Sequence, residues 1–159
     1  MKRYYSLFVL TVALGLTACG GDDDNSPSYK FKDQNAQGKI NNTAFDYADG
    51  FADVDDEEIR VTLTLEQSGD ICANMPEGNT VFFTVDNELK VTKLNFNLST
   101  WEGQTVTLFQ DEGTLSVLAT KGAVEILSVT ETEVTGRLDA RADSDSYING
   151  NFTVQRCPQ

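Results

Sequence analysis

The sequence predicts an all-β fold, and three observations predict it. Apolar and polar residues alternate with a period of two along much of the chain, most cleanly where Ile59, Val61, Leu63 and Leu65 interleave with Arg60, Thr62, Thr64 and Glu66. That alternation describes a strand with one face in a core and one in water. Turn-forming residues recur roughly every 8–12 residues, the spacing of short antiparallel strands. After Ser28 no amphipathic helical run exceeds about two turns.

Taken in order, the pattern predicts about nine strands. The first spans Gly38 to Phe45, contains Ile40, and resumes through Tyr47 toward Phe51, with Gly50 marking a bulge or bend. The acidic stretch Asp53, Asp55, Asp56, Glu57 and Glu58 reads as a turn leading into the Ile59–Glu66 strand. A long connection from Gln67 to Asn79 follows, with Cys72, Asn74, Pro76 and Gly78 in it. Val81, Phe83 and Val85 share one face of the next strand, and Asp86-Asn87 turns the chain. Leu94, Phe96 and Leu98 alternate in another strand, Thr105 to Phe109 forms one after Gly103, and Leu115 to Ala119 forms a short one. Val124, Ile126 and Val129 precede a polar turn at Thr130–Thr132. Val134, Leu138 and Ala140 continue the alternation, with Gly136 at the inward phase as a close packing point. Asp143 to Ser146 is a hairpin loop, and the last strand runs from Tyr147 to Cys157 with Phe152 and Val154. The fold expected is an antiparallel β-sandwich; a lipocalin-like or partly open barrel is the alternative.

The N-terminal residues belong to a different kind of segment. Lys2 and Arg3 precede an apolar run from Ser6 to Leu16, and small residues follow up to Cys19. Eleven residues cover roughly half of a ~30 Å hydrocarbon core, too short for a spanning helix and suited to a secretory signal peptide over residues 1–18. Leu16-Thr17-Ala18-Cys19 resembles a bacterial lipobox. The resemblance implies cleavage before Cys19, diacylglycerol on its sulfur and a further acyl chain on the new amino terminus. Two or three chains make a stable anchor where one is marginal, at ~0.8 kcal/mol per buried methylene. A secretory signal cleaved without lipid, and a buried N-terminal helix, are the competing readings.

Residues 19–28 read as a tether, because Gly20, Gly21, Asp22, Asp23, Asp24 and Pro27 offer nothing to a core. An acidic run directly after a lipidated cysteine is similar to the surface-export signal of lipoproteins from Bacteroidota; a plain solvated tether is the alternative. Gly20 at the second mature position argues against inner-membrane retention, by resemblance to the enterobacterial sorting rule. The expected location is the bacterial cell envelope, lipid-anchored in the outer membrane, with one β-domain over residues 29–159.

Removing the leader leaves ten basic and 25 acidic side chains, a net charge of −15. Such a surface is expected to repel phosphate backbones and anionic headgroups, so nucleic acid is not expected as a partner. With Cys19 assigned to lipid, Cys72 and Cys157 are an even pair in an exported chain and read as a disulfide closing a long loop, with two free thiols as the alternative. Gly122-Ala-Val-Glu-Ile126, Val134-Thr-Gly-Arg-Leu138 and Ile148-Asn-Gly-Asn-Phe152, ending at Cys157, resemble the C-terminal region of small all-β bacterial lipoproteins. That resemblance supports the fold and the disulfide and supplies no catalytic residues.

The chain has no histidine, which removes Ser-His-Asp and Cys-His nucleophile arrangements and histidine-ligated zinc sites. Phosphate-binding glycine loops are absent too. No cofactor is expected. The Asp53–Glu58 cluster, and Asp143 with Asp145, carry oxygens that suit calcium but lack EF-hand spacing. Carboxylates paired across a cleft would serve a glycan hydrolase; carboxylates in turns are read first as solvated surface. Trp101 beside Gly103 is either a cap on one end of the core or a contact for a protein or glycan. The function expected is a non-catalytic envelope binding or accessory module with a protein or glycan partner, contacting it through Asp53–Glu58, the connection around Pro76, or Trp101. A lipid-anchored hydrolase is the alternative.

Overall fold

The computed structural model describes residues 28–74, 77–112 and 115–158; Pro76, the expected signal peptide and the expected tether up to Pro27, with Cys19, lie outside them. Eleven strands form one sheet: β1 (Gln37–Ile40), β2 (Thr43–Asp46), β3 (Asp49–Val54), β4 (Glu58–Thr64), β5 (Thr80–Asp86), β6 (Val91–Lys93), β7 (Val106–Gln110), β8 (Leu115–Ala119), β9 (Lys121–Val129), β10 (Glu133–Arg141) and β11 (Tyr147–Arg156). Nine of them follow the order β6-β9-β10-β11-β3-β4-β5-β7-β8, and the β1–β2 hairpin attaches to β11.

The order dictates a curl. β8 ends the series and β9 stands second from its other end, yet only Thr120 separates them in the chain. The sheet must bend round until its two ends meet. Gly122 lies at the bend with φ +114, where a Cβ would fall 1.7 Å from the Asp139 carbonyl oxygen. The same curl brings the Phe83 ring of β5 and the Phe152 ring of β11 edge to face at 5.8 Å. Those strands stand three places apart, about 14 Å on a flat sheet. The result is a half-barrel whose facing walls come from one continuous ladder, so the sandwich and partly open barrel descriptions meet in one object.

The inward phase is the one the alternation predicts. Ile59, Val61, Leu63, Leu108, Leu138 and Ile148 are all buried in the core. Gly136 lets Phe152 across it: a Cβ there would lie 2.4 Å from the Phe152 Cζ. The ladder is antiparallel except where β11 meets β3, a parallel seam of only two pairs, Gln155 with Phe51 and Arg156 with Ala52. Cys157 N donates to Ala52 O at 2.9 Å and the Cys72–Cys157 disulfide crosses beside this seam, closing a separation of 85 residues.

Two elements differ from the sequence reading. The Gly38–Phe45 strand is two strands, because Asn41 and Asn42 take φ values of 47° and 65° and form a two-residue hairpin loop. The strand expected at Leu94–Leu98 lies earlier, as β6; residues 94–104 form an irregular hairpin instead, with Asn97 bridged to Glu102.

Residues 28–36 form a strap outside β10 and β11. Lys30 N donates to Asp139 Oδ2 at 2.9 Å, Lys32 N donates to Asn149 Oδ1 at 2.9 Å, and Asn149 Nδ2 donates back to Lys30 O at 2.9 Å. The Phe31 ring stacks beneath the Arg137 guanidinium, 4.6 Å from centroid to Cζ, and Arg141 Nη2 donates to Ser28 O.

Candidate functional site

The acidic stretch is a tight turn between β3 and β4, and the turn itself occupies its key carboxylate. Asp55 Oδ1 accepts from Glu57 N at 2.9 Å and Glu58 N at 2.7 Å, an arrangement in which an aspartate side chain substitutes for a backbone turn. These two bonds, then the Arg60 charge 3.3 Å from Oδ2, hold its pKa below the usual aspartate range. Glu58 also pairs with Arg60. Asp53 stands opposite Arg60 in the ladder, and Asp56 and Glu57 point into water. The side chain of Asn87 adds a bond to Asp55 O at 2.7 Å, tying the β5–β6 turn to this one. Asp143 likewise spends Oδ1 on Asp145 N at 2.9 Å. Among the described residues no three acidic or cysteine side chains converge on a point where a metal ion could be held.

Trp101 does not cap the core. It is 75% exposed on the residue 94–104 hairpin, with Leu98 beside it at 62%. Trp101 N donates to Asn97 O at 2.9 Å, and the Phe96 ring supports the indole edge to face at 6.1 Å. Its φ of 56° is left-handed, a conformation that costs an L-residue with a bulky side chain roughly 1–2 kcal/mol. A glycine would hold that backbone without strain, as Gly103 does two residues later with φ 101°.

Sequence reasoning missed the outer face of β4–β5–β7–β8. Phe82 is 42% exposed there, flanked by Thr62 and Thr107 in register, with Phe109 on the same face. Phe82, Thr62 and Phe109 line an open cleft of 760 Å³ with Thr80, Ser116, Glu77 and Asp111. Phe109 is half-buried on this outer side because Val106 and Leu108 take the inward phase. The signal was available: with Val81, Phe83 and Val85 inward, Phe82 must point out.

A second cleft, of 550 Å³, brings Asp49, Glu131 and Glu133 to one lining beside Arg156. Asp49 is committed to structure, since its two oxygens accept from Gly50 N at 2.8 Å and Ser68 N at 2.9 Å.

No protein-family model, no curated protein and no solved structure matches this chain.

Proposed function

We propose that this chain is a non-catalytic lipoprotein of the bacterial cell envelope, anchored through acyl chains at Cys19 and acting as a binding or accessory module. The observation that carries the binding reading is Trp101. The protein holds a large aromatic residue in water, at a strained backbone position, on a braced hairpin. Strain of this kind collects where a side chain is needed in one place, and tryptophan is among the residues enriched at interface hot spots. The non-catalytic reading rests on chemistry: general acid–base work near neutral pH falls mostly to histidine, and the chain has none. The central carboxylate of the β3–β4 turn is engaged in folding that turn.

Crosslinking in intact cells tests the binding surface. Trp101→Ala loses partners recovered with the wild type, while neutralising Asp56 and Glu57 leaves them; unchanged recovery in Trp101→Ala removes the hairpin as the site. Turnover of any substrate overturns the non-catalytic reading. Fractionation tests the anchor: Cys19→Ala leaves the membrane fraction or accumulates as precursor, and a variant that matures and fractionates like wild type refutes it.

A further inference from the structure

The distribution of lysine points to a lipid-facing surface. Six lysines follow Cys19 in the sequence: Lys30, Lys32, Lys39, Lys90, Lys93 and Lys121. Lys90 is paired with Asp86 at 2.7 Å and Glu88 at 2.8 Å. The other five form no ion pair among the described residues, in a chain with a large acidic excess. Their places in the ladder are not scattered. Lys121 of β9, Arg141 of β10, Tyr147 of β11 and Lys39 of β1 are successive register partners, one row across four strands. That row is about 14 Å long at the spacing of neighbouring strands. Lys93 pairs with Ala123, two residues along β9 from Lys121. Lys30 and Lys32 lie on the strap beside Arg141 and Tyr147, around a cleft of 230 Å³. The alternation puts this row on the outside of the sheet, because Leu138 and Ala140 take the inside of β10.

The outward acids of β9 and β10 near the row are already neutralised. Asp139 is 3% exposed and lies against Arg141, with 3.0 Å between Nε and Oδ1, and Glu125 pairs with Arg137. Asp33, Asp46, Asp143 and Asp145 are exposed, the last two in the loop that joins Arg141 to Tyr147. The net charge of the whole chain predicts repulsion from anionic headgroups; this face departs from that expectation because of where the lysines are placed.

The tether leaves from this same face, since Ser28 O accepts from Arg141. Eight residues, 20–27, lie between Cys19 and Ser28, so nine Cα-to-Cα steps join them. Fully extended they reach about 30 Å. A domain of this size is about 35 Å across, so a path round its flank to the opposite side exceeds about 50 Å. An anchor at Cys19 therefore presents the lysine row to the bilayer and keeps the opposite side away from it.

We propose that the outer face formed by Lys30, Lys39, Lys93 and Lys121 rests on the membrane and binds the phosphates of anionic lipid headgroups, fixing the orientation of the domain. This rests on the reading of Cys19 as the anchor, and the experiment separates the two. The mature chain, residues 19–159, is coupled through the Cys19 thiol to a maleimide lipid in vesicles, which places the anchor chemically whether or not a cell acylates it. Acetylation rates of individual lysines are then read by mass spectrometry on phosphatidylcholine vesicles with and without phosphatidylglycerol. With the anionic lipid, Lys30, Lys39 and Lys121 slow about fivefold relative to Lys90, the factor carried by one lysine held at an anionic surface. High salt abolishes the protection. The triple variant Lys39→Glu, Lys93→Glu and Lys121→Glu, checked for native circular dichroism, loses it at the remaining reporter, Lys30. Equal labelling on both kinds of vesicle, or protection that survives salt in the wild type, overturns the proposal. Failure of the anchor reading shows only in the cellular fractionation of Cys19→Ala.

Discussion

Outside β10 and β11 the chain lays its own strap over the sheet; outside β4–β5–β7–β8 no described segment does the same. The two outer faces are built from similar strands, and their side chains differ accordingly. The covered face carries Asp139 and Asn149, both nearly inaccessible, and each is satisfied by backbone groups of residues 28–36. The bare face carries Thr62, Thr84 and Thr107, half-buried hydroxyls that water can satisfy, around the exposed Phe82. A buried carboxylate or amide without partners costs about 1–3 kcal/mol, so Asp139 and Asn149 require the strap. Nothing on the bare face requires a cover. It is the strapped half that carries the lysine row and Ser28, while the bare half keeps its cleft open.

What joins the halves is the inner core and one short seam. Phe152→Ala should have the largest effect, because its ring meets Phe83 across the curl and fills the space above Gly136. Loss of a buried aromatic of this kind costs about 3–5 kcal/mol, read as a fall in the urea midpoint. The disulfide comes next. The parallel β11–β3 seam has two residue pairs, and Cys72–Cys157 crosses beside it. Cys72→Ser with Cys157→Ser should cost about 2–4 kcal/mol, and the chain-entropy ceiling for a loop this long is about 4–5 kcal/mol. An equal midpoint for oxidised and reduced protein would show that the seam holds without its staple.

Much of this was legible in the residues, and the reason is the period of two. The inward set Ile59, Val61, Leu63, Val81, Phe83 and Leu138 follows from alternation alone. The single-residue passage from β8 to β9 makes the curl, and alternation says nothing about which distant strands pair. The strap was invisible for a related reason. Asp139 and Asn149 fall at outward positions, where a polar residue reads as solvated, and only the segment lying over them shows otherwise. The Asn41-Asn42 loop was a missed turn signal, since asparagine tolerates positive φ. Phe96 and Leu98 kept strand phase with Leu94 but lie on a hairpin, so a periodic run of three apolar residues is too short to fix an element.

The difference between covered and bare faces can be sharpened with one substitution on each. Asn149→Ala removes the acceptor of Lys32 N and the donor to Lys30 O. It should cost about 1–3 kcal/mol and should release the Lys32 amide to hydrogen exchange before the core strands. Phe82→Ser on the bare face touches no required partner and should stay within about 0.5 kcal/mol of wild type. If Asn149→Ala were as mild as Phe82→Ser, the strap would be an accessory rather than part of the fold.

The smallest effect expected is confined to one turn and depends on pH. Asp55 lies outside both faces, at the β3–β4 turn, and its carboxylate accepts two backbone N–H groups, from Glu58 and Glu57. These bonds, with a lesser contribution from Arg60, favour the ionised form and hold its pKa below the ordinary value. A group with a depressed folded pKa binds fewer protons in the folded state than in the unfolded one as pH falls below the ordinary aspartate value. Its contribution to stability is therefore fully present above that value and is lost as pH falls through the lower, folded one. The side chain is exposed, so solvent screens the effect and the consequence is local. Acidification should move the Glu57 and Glu58 amide resonances together, with a midpoint below that of an unstructured aspartate, while the Lys32 amide of the strap, bonded to the non-titrating Asn149, holds still. Asp55→Asn keeps an acceptor oxygen without a titrating proton, so in that variant the shared transition should vanish and the turn should persist. A transition at the ordinary aspartate midpoint in the wild type would mean that the two amides do not hold the carboxylate in solution.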